Sequence, residues 1–190
     1  DEKAVMAFVK ENEIDVIVNC AAYTAVDKAE DNQELCAKLN SEAVGYLAKA
    51  AEENQAEFIQ ISTDYVFDGT NYVPYRETEP TCPNSVYGVT KLAGEKKALE
   101  YCSKAMIIRT AWLYSVFGNN FVKTMIRLGK ERESLGVIFD QIGTPTYARD
   151  LASAVFAAIR KGIIPGIYHF SNEGVCSWYD FTKSIHRIAS

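Results

Sequence analysis

The fold follows from the stretch EFIQIST at residues 57–63 and from the segments on either side of it. Its apolar and β-favouring residues predict a short buried strand. The segment 84–103 then has helical apolar spacing, and the apolar run AMIIRT follows at residues 105–110. Strand, helix and strand in this order are typical of α/β proteins built on a parallel sheet.

The same alternation extends over the rest of the chain. Strands are predicted at 15–20, 57–63 and 105–110, with shorter candidates at 135–139 and 166–170. Amphipathic helices are predicted at 2–12, 33–53, 84–103, 119–133, 147–161 and 177–189. The stretch 64–84 lacks clear periodicity and contains three prolines, which predicts a long loop.

The composition of the chain argues against several classes of function. The chain has 190 residues, 48% of them hydrophobic, which is enough for one domain with an ordinary core. The net charge is -5 and no basic stripe is present, so nucleic acid is not an expected partner. The five cysteines contain no CxxC pair, which argues against disulfides and a zinc site and favours a cytoplasmic location. No apolar run approaches about 18 residues and no basic-apolar leader opens the chain, so neither a membrane partner nor secretion is expected.

Polar residues gather where two predicted strands end. Asn19 closes the first strand before the small and polar residues 21–24, and Ser62, Thr63 and Asp64 close or follow the second. Ligands of open parallel sheets lie outside the carboxyl ends of the strands. Both groups are therefore candidates for one crevice.

Tyr87 and Lys91 are four residues apart, so they share one face of the helix predicted at 84–103. An ammonium beside a phenol is expected to lower the phenol pKa towards neutrality, which would suit proton transfer to a carbonyl oxygen. The spacing alone is not specific, because Tyr179 and Lys183 repeat it near the end of the chain. Their expected role is that of a solvated helix face.

Six blocks of sequence resemble one family of enzymes. They are NCAAYTAVDKAE (19–30), STDYVFDG (62–69), YGVTKLAGE (87–95), RTAWLY (109–114), GNNF (118–121) and DQIGTPT (140–146). In this order they are similar to the dTDP-4-dehydrorhamnose reductases, which are extended short-chain dehydrogenases/reductases. The resemblance implies a Rossmann-like doubly wound parallel sheet of the α/β class. It also implies reduction of the C4 ketone of a dTDP-linked 4-dehydro-6-deoxyhexose by NADPH or NADH.

The resemblance also implies roles for individual residues. Tyr87 would be the proton donor, Lys91 would bind the nicotinamide ribose and hold the phenol pKa down, and Thr63 would be the third catalytic hydroxyl. The implied cofactor-binding residues are Ala21, Ala22, Tyr23, Thr24, Asn40, Ser62, Tyr87 and Lys91. The implied substrate-binding residues are Thr63, Asp64, Trp112 and Asn120. No metal ligand is predicted, although Mg²⁺ is a further cofactor candidate that no residue indicates, and a homodimer is a candidate assembly.

The glycine-rich turn of the family does not occur in the chain, because its eleven glycines include no pair two or three residues apart. We therefore expect the sequence to be a piece of a longer reductase that lacks this start and the C-terminal tail. The strand at 15–20 is expected to have no neighbour. Residues 1–135 are expected to belong to the NAD(P)-binding Rossmann domain, and 136–190 to an interleaved substrate-binding region.

Other interpretations stay open. A non-catalytic nucleotide-binding regulatory subunit of the same family, or another nucleotide-sugar epimerase or dehydratase, would share the fold. Thr63 could simply be the last residue of a strand, without a catalytic role, and Trp112 could be a core aromatic residue. The charged run at 95–97 is expected to be a solvated helix face, and His169 and His186 match no catalytic block.

Overall fold

The computed structural model describes residues 1–189. The helices are α1 (Glu2–Glu11), α2 (Val26–Asp31), α3 (Gln33–Ala37), α4 (Ala43–Glu53), α5 (Val86–Tyr101), α6 (Phe121–Glu131), α7 (Ala148–Lys161) and α8 (Trp178–Ala189). The strands are β1 (Val16–Asn19), β2 (Glu57–Thr63), β3 (Ala105–Thr110), β4 (Leu113–Tyr114), β5 (Ile142–Gly143), β6 (Thr146–Tyr147), β7 (Gly166–His169) and β8 (Cys176–Ser177). A π-helical turn over Lys38–Glu42 joins α3 to α4, and a 3-10 turn over Asp64–Val66 follows β2.

The central sheet has four strands in the order β1-β2-β3-β7, and the pairs β1–β2 and β3–β7 are parallel. The predicted α/β class with a parallel sheet is therefore confirmed. The expectation that the strand at 15–20 lacks a neighbour is wrong. Val16 to Asn19 pair in register with Glu57 to Gln60, so the ladder satisfies β1 along the edge that faces β2.

The chain divides into two compact units. The first consists of Asp1–Arg109 and Ala158–His169, and the second consists of Thr110–Ala157 and the residues from Phe170 onward. The units interleave in sequence, but the break between them falls after residue 109 rather than after the predicted residue 135. The assignment of one region to cofactor and the other to substrate stays a prediction.

The core of the first unit lies between the central sheet and its helices. Phe58 on β2 and Ile107 on β3 are fully buried against Val44 of α4 and Ala98 of α5. Small residues dominate the contact surface of α4, which lets this helix pack closely on the strands. This packing fixes α5 relative to the end of β2, where the candidate site lies.

Three local predictions differ from the structure. No strand forms at 135–139, where Ile138 and Phe139 are 50% and 65% exposed and find no ladder partner among residues 1–189. The helix predicted at 33–53 is interrupted by the π-helical turn. Helix α2 is an additional element, only six residues long and without a side-chain cap. Within the described part of the chain, no helix is long and apolar enough to cross a membrane.

Candidate active site

Helix α5 brings the catalytic candidates together on a buried face. Ser85 caps its first turn by accepting a hydrogen bond from the Gly88 amide at 3.1 Å. Tyr87, Lys91 and Glu95 then follow at intervals of four residues, and all three side chains are buried. The helix predicted at 84–103 thus exists, but its buried face is polar rather than apolar.

Tyr87 lies against the end of β2. Its phenol lies close to the side chain of Thr63, and its ring meets that of Tyr65 edge-on at 5.4 Å between centroids. The Thr63 hydroxyl donates to Asp64 Oδ1 at 3.0 Å and accepts from the Tyr65 amide at 3.2 Å. Thr63 therefore lies beside the phenol and is hydrogen-bonded to a carboxyl group, which is more than the end of a strand requires.

Burial raises the pKa of Tyr87 to about 12, while the nearby Thr63 side chain acts in the opposite direction. The predicted net lowering of this pKa is wrong for the structure described here. Desolvation is the largest cause, and the nearby Asp64 carboxyl adds to it. Burial also raises the pKa of Asp64. The phenol is consequently a protonated group at neutral pH.

Lys91 is 4% exposed, and its ammonium donates a 2.7 Å hydrogen bond to the Ile61 carbonyl oxygen. Burial lowers the pKa of Lys91 to about 8, and the negative charge of Glu95 opposes that shift. The side chain is thus held between helix and strand in a form that can lose its proton slightly above neutrality.

Asn40 holds the loop that follows β1. Its amide oxygen accepts from the Tyr23 amide at 2.8 Å, and its amide nitrogen donates to the Tyr23 carbonyl at 3.1 Å. Asn40 is buried within the π-helical turn, and a Cβ on Gly94 of α5 would overlap its backbone carbonyl. Asn40 therefore fixes residues 21–24 at the carboxyl end of β1, where Ala21 and Thr24 are exposed.

A buried ion pair lies behind Lys91. Glu95 is only 2% exposed, and its carboxylate accepts from Arg109 Nη2 at 2.7 Å and from Arg109 Nε at 3.0 Å. The Ser62 hydroxyl donates to the same carboxylate at 2.5 Å. The expectation that the run at 95–97 is solvated is wrong for Glu95. The signal that could have identified it is the spacing of four residues from Lys91, which repeats that from Tyr87.

The substrate candidates Trp112 and Asn120 belong to the second unit. Trp112 stacks on Trp178 with centroids 3.5 Å apart, and its backbone has the left-handed φ of 48°. Asn120 caps α6 by accepting from the Lys123 amide at 3.1 Å and donates to the Ser115 carbonyl at 2.6 Å. Both residues have structural partners in their own unit, and their contact with substrate stays a prediction.

The remaining titratable candidates lie outside this arrangement. Tyr179 is 42% exposed on α8, and Lys183 is exposed one turn later. His186 hydrogen-bonds the Met125 carbonyl, and His169 packs against Phe67. Residues 1–189 contain no group of three or more His, Cys, Asp or Glu that could hold a metal ion.

Taken chemically, the first unit presents a protonated phenol beside a hydroxyl and a buried ammonium. A phenol of this kind can donate a proton to an oxygen that develops negative charge, and the ammonium can stabilise the phenolate that remains. The geometry therefore suits proton transfer by the phenol.

The chain is similar to known proteins along its whole length. The profile of the RmlD substrate binding domain family matches residues 1–190. The dTDP-4-dehydrorhamnose reductase of Escherichia coli K12 is 50% identical over 179 residues, which are 92% of this chain and 60% of that protein. The chain thus spans about 60% of the length of the curated relatives that it matches.

Two solved structures of dTDP-4-dehydrorhamnose reductases superpose closely. That from Bacillus anthracis, in complex with NADP, is 44% identical with a TM-score of 0.96 over 100% of this chain and 67% of the other. That from Clostridium acetobutylicum is 47% identical, also with a TM-score of 0.96, over 99% of this chain and 66% of the other. These likenesses confirm the Rossmann-like fold. Because the family profile matches the whole length of this chain, the chain belongs to the RmlD substrate binding domain family.

Proposed function

We propose that the protein containing this chain reduces the C4 ketone of dTDP-4-dehydro-6-deoxy-L-mannose to dTDP-L-rhamnose, with NADPH or NADH as reductant. The observation that carries the proposal is the convergence of Thr63, Tyr87 and Lys91 inside the first unit. The 50% identity to a reductase of this specificity supports the choice of substrate.

Tyr87 supplies the proton in this reaction. As hydride reaches the sugar C4, the ketone oxygen gains negative charge and takes the proton from the Tyr87 hydroxyl, which leaves a phenolate. The raised pKa of about 12 means that the phenol is fully protonated before the reaction, as a proton donor must be. Thr63 lies beside the same phenol, where its hydroxyl oxygen can contact the reacting groups.

Lys91 stabilises the phenolate that forms. Its ammonium has three N–H groups, one of which is donated to the Ile61 carbonyl. The others are left for a ribose hydroxyl and for electrostatic support of Tyr87. Because the site is buried, a positive charge acts on the phenolate more strongly than it would in water.

The residues around β1 and α5 fit the nicotinamide end of the cofactor. Ala21 and Ala22 follow β1 with small side chains, so a ribose can approach the backbone, and Asn40 fixes this loop through Tyr23. Ser62 cannot donate a hydrogen bond to the cofactor in this arrangement, because its hydroxyl proton is already donated to Glu95. When bound, the reduced nicotinamide supplies the hydride.

On the substrate side we propose Thr63 and Asp64 in the first unit, and Trp112 and Asn120 in the second. The exposed edge of an indole offers an apolar surface to a hexose, and Trp112 is held rigidly by its stack on Trp178. A nucleotide-sugar substrate, a homodimer and a cytoplasmic location are parts of the same proposal.

Oxidation of NADPH and of NADH by the purified full-length protein tests the proposal, with dTDP-4-dehydro-6-deoxy-L-mannose supplied and the nicotinamide absorbance followed. Stoichiometric formation of dTDP-L-rhamnose is the expected result. Cofactor binding without turnover would contradict it and favour a regulatory nucleotide-binding subunit. Conversion of a dTDP-hexose without net oxidation of the cofactor would instead indicate an epimerase or a dehydratase.

A further inference from the structure

Three functional groups follow one another along the buried face of α5. Tyr87 and Lys91 belong to the proposed proton transfer, and Glu95 lies one turn further on, more deeply buried than either. A buried carboxylate is costly unless its charge is compensated, so its presence beside a buried ammonium calls for a physical reason.

The Glu95 carboxylate is held by two strands. Ser62 on β2 donates to one carboxylate oxygen, and Arg109 on β3 donates through Nε and Nη2 in a bidentate ion pair. Arg109 is itself held by the Phe67 ring, 5.2 Å from the guanidinium carbon. The negative charge therefore occupies a fixed position relative to the sheet.

The surroundings of Lys91 contain few other charges. The titratable groups that act on it besides Glu95 are the thiol of Cys20, just after β1, and the thiol of Cys36 on α3. The Tyr87 phenol lies one turn before it on its own helix. The Lys91 ammonium and the Glu95 carboxylate are hydrogen-bonded to adjacent residues of β2, Ile61 and Ser62. Glu95 is the carboxylate that opposes the lowering of the Lys91 pKa.

We propose that Glu95 is a positioning residue for Lys91: anchored by Ser62 and Arg109, it supplies the buried negative charge that keeps the Lys91 side chain an ammonium during catalysis. The role in catalysis rests on the proposed function, whereas the effect of Glu95 on Lys91 can be measured without any substrate. The alternative is that Glu95 only neutralises Arg109 within the fold, in which case the pKa of Lys91 does not depend on Glu95.

Titration of Lys91 by NMR separates these alternatives. The ¹³Cε shift is followed against pH in full-length protein labelled at lysine, and the resonance is assigned by its loss in Lys91→Arg. Glu95→Gln is expected to move the Lys91 midpoint to lower pH by about 1 unit, because an opposite charge in a buried site favours the charged form. The matched control is Glu100→Gln on the exposed part of the same helix, which should leave the midpoint unchanged. An unchanged midpoint in Glu95→Gln would overturn the proposal.

A second variant guards against loss of the fold. Glu95→Gln leaves Arg109 as an unpaired buried cation, whereas the double variant Glu95→Gln with Arg109→Met removes both charges and is expected to fold. In the double variant the Lys91 midpoint should still move to lower pH. A folded double variant with the wild-type midpoint would show that Glu95 serves Arg109 alone.

The kinetic counterpart is the alkaline limb of the kcat/KM profile, which should shift to lower pH together with the NMR midpoint. If the wild-type protein shows no turnover, the proposed function fails while the NMR result still decides the role of Glu95. If turnover is normal and neither the limb nor the midpoint moves, the positioning role fails alone.

Discussion

Helices α5 and α8 carry the same Tyr-x-x-x-Lys spacing in opposite environments. On α5, Tyr87 is 9% exposed and Lys91 is 4% exposed, and burial displaces both of their pKa values. On α8, Tyr179 is 42% exposed and Lys183 faces solvent. A phenol and an amine in water keep their own solvation, whereas the buried pair must find partners in the protein. Burial, rather than spacing, therefore gives such a pair its altered acid–base properties.

The largest expected effect compares the two tyrosines. Tyr87→Phe removes the proposed proton donor and should lower kcat by about 10²- to 10⁴-fold with nucleotide-sugar binding retained. Tyr179→Phe removes an exposed hydroxyl and should change kcat less than about twofold. Steady-state kinetics with each variant measure both values. Equal losses from the two substitutions would remove the case for Tyr87.

Two arginine–glutamate ion pairs of the molecule also differ in burial. The Arg109–Glu95 pair has side chains 4% and 2% exposed, whereas the Arg127–Glu131 pair on α6 has side chains 59% and 52% exposed. Arg109→Ala should lower the free energy of unfolding by about 3–5 kcal/mol, because it leaves the Glu95 carboxylate buried without its cation. Arg127→Ala should lower it by less than about 1 kcal/mol. Urea unfolding of both variants tests the contrast, and similar losses would mean that burial does not separate the two pairs.

Two helix glycines, one on α5 and one on α6, differ in the atoms that surround them. A Cβ at Gly94 on α5 would overlap the backbone carbonyl of Asn40, whereas a Cβ at Gly129 on α6 would meet the His186 ring, a side chain that can rotate away. Gly94→Ala should therefore cost about 2–3 kcal/mol through forced backbone displacement. Gly129→Ala should cost less than about 1 kcal/mol, since the higher helix propensity of Ala offsets part of the loss when the ring leaves its hydrogen bond to the Met125 carbonyl. Thermal unfolding measures both, and a neutral Gly94→Ala would mean that the π-helical turn is not held as tightly as its contacts indicate.

Much of the fold could be predicted because it depends on local pattern. The runs at 57–63 and 105–110 carry buried apolar side chains, and the structure forms β2 and β3 over the same residues. The run at 135–139 is also apolar, but within residues 1–189 no strand pairs with it. Strand pairing depends on the tertiary structure and cannot be read from local composition. The partner of β1 was missed for the same reason, since strand order depends on topology.

The candidate site could be predicted only in part. Tyr87, Lys91 and Thr63 follow from polar strand ends and from spacing, and the structure brings them together. Glu95 was missed because a charged residue beside two lysines has the pattern of a solvated surface. The direction of the Tyr87 pKa shift was missed because it depends on desolvation, which requires the packing of β2 and α5 rather than the identity of a neighbour.

The smallest expected effect is the change in the free energy of unfolding when Lys91 or Lys183 is replaced. Lys91 has a folded pKa of about 8, below the ordinary lysine value of 10.5, so the unfolded chain binds its proton more tightly between those two pH values. Wild-type stability should therefore rise as pH increases from 8 to 10.5, and the cost of the buried charge is fully present at pH 7. Lys91→Met removes that cost, and the Ile61 carbonyl keeps a second donor in the Gln60 amide at 2.7 Å.

Lys91→Met should consequently stabilise the protein by about 1–2 kcal/mol at pH 7, with the gain shrinking towards pH 10, while turnover is lost. Lys183→Met should stay within about 0.5 kcal/mol of the wild type at either pH, because its ammonium is solvated in both states. Urea unfolding at pH 7 and pH 10 measures the two variants. A Lys91→Met variant that is destabilised at pH 7 would mean that the Glu95 carboxylate and the Ile61 carbonyl repay the desolvation of the ammonium in full. The buried pair on α5 would then be a source of stability, rather than a functional site maintained at the expense of the fold.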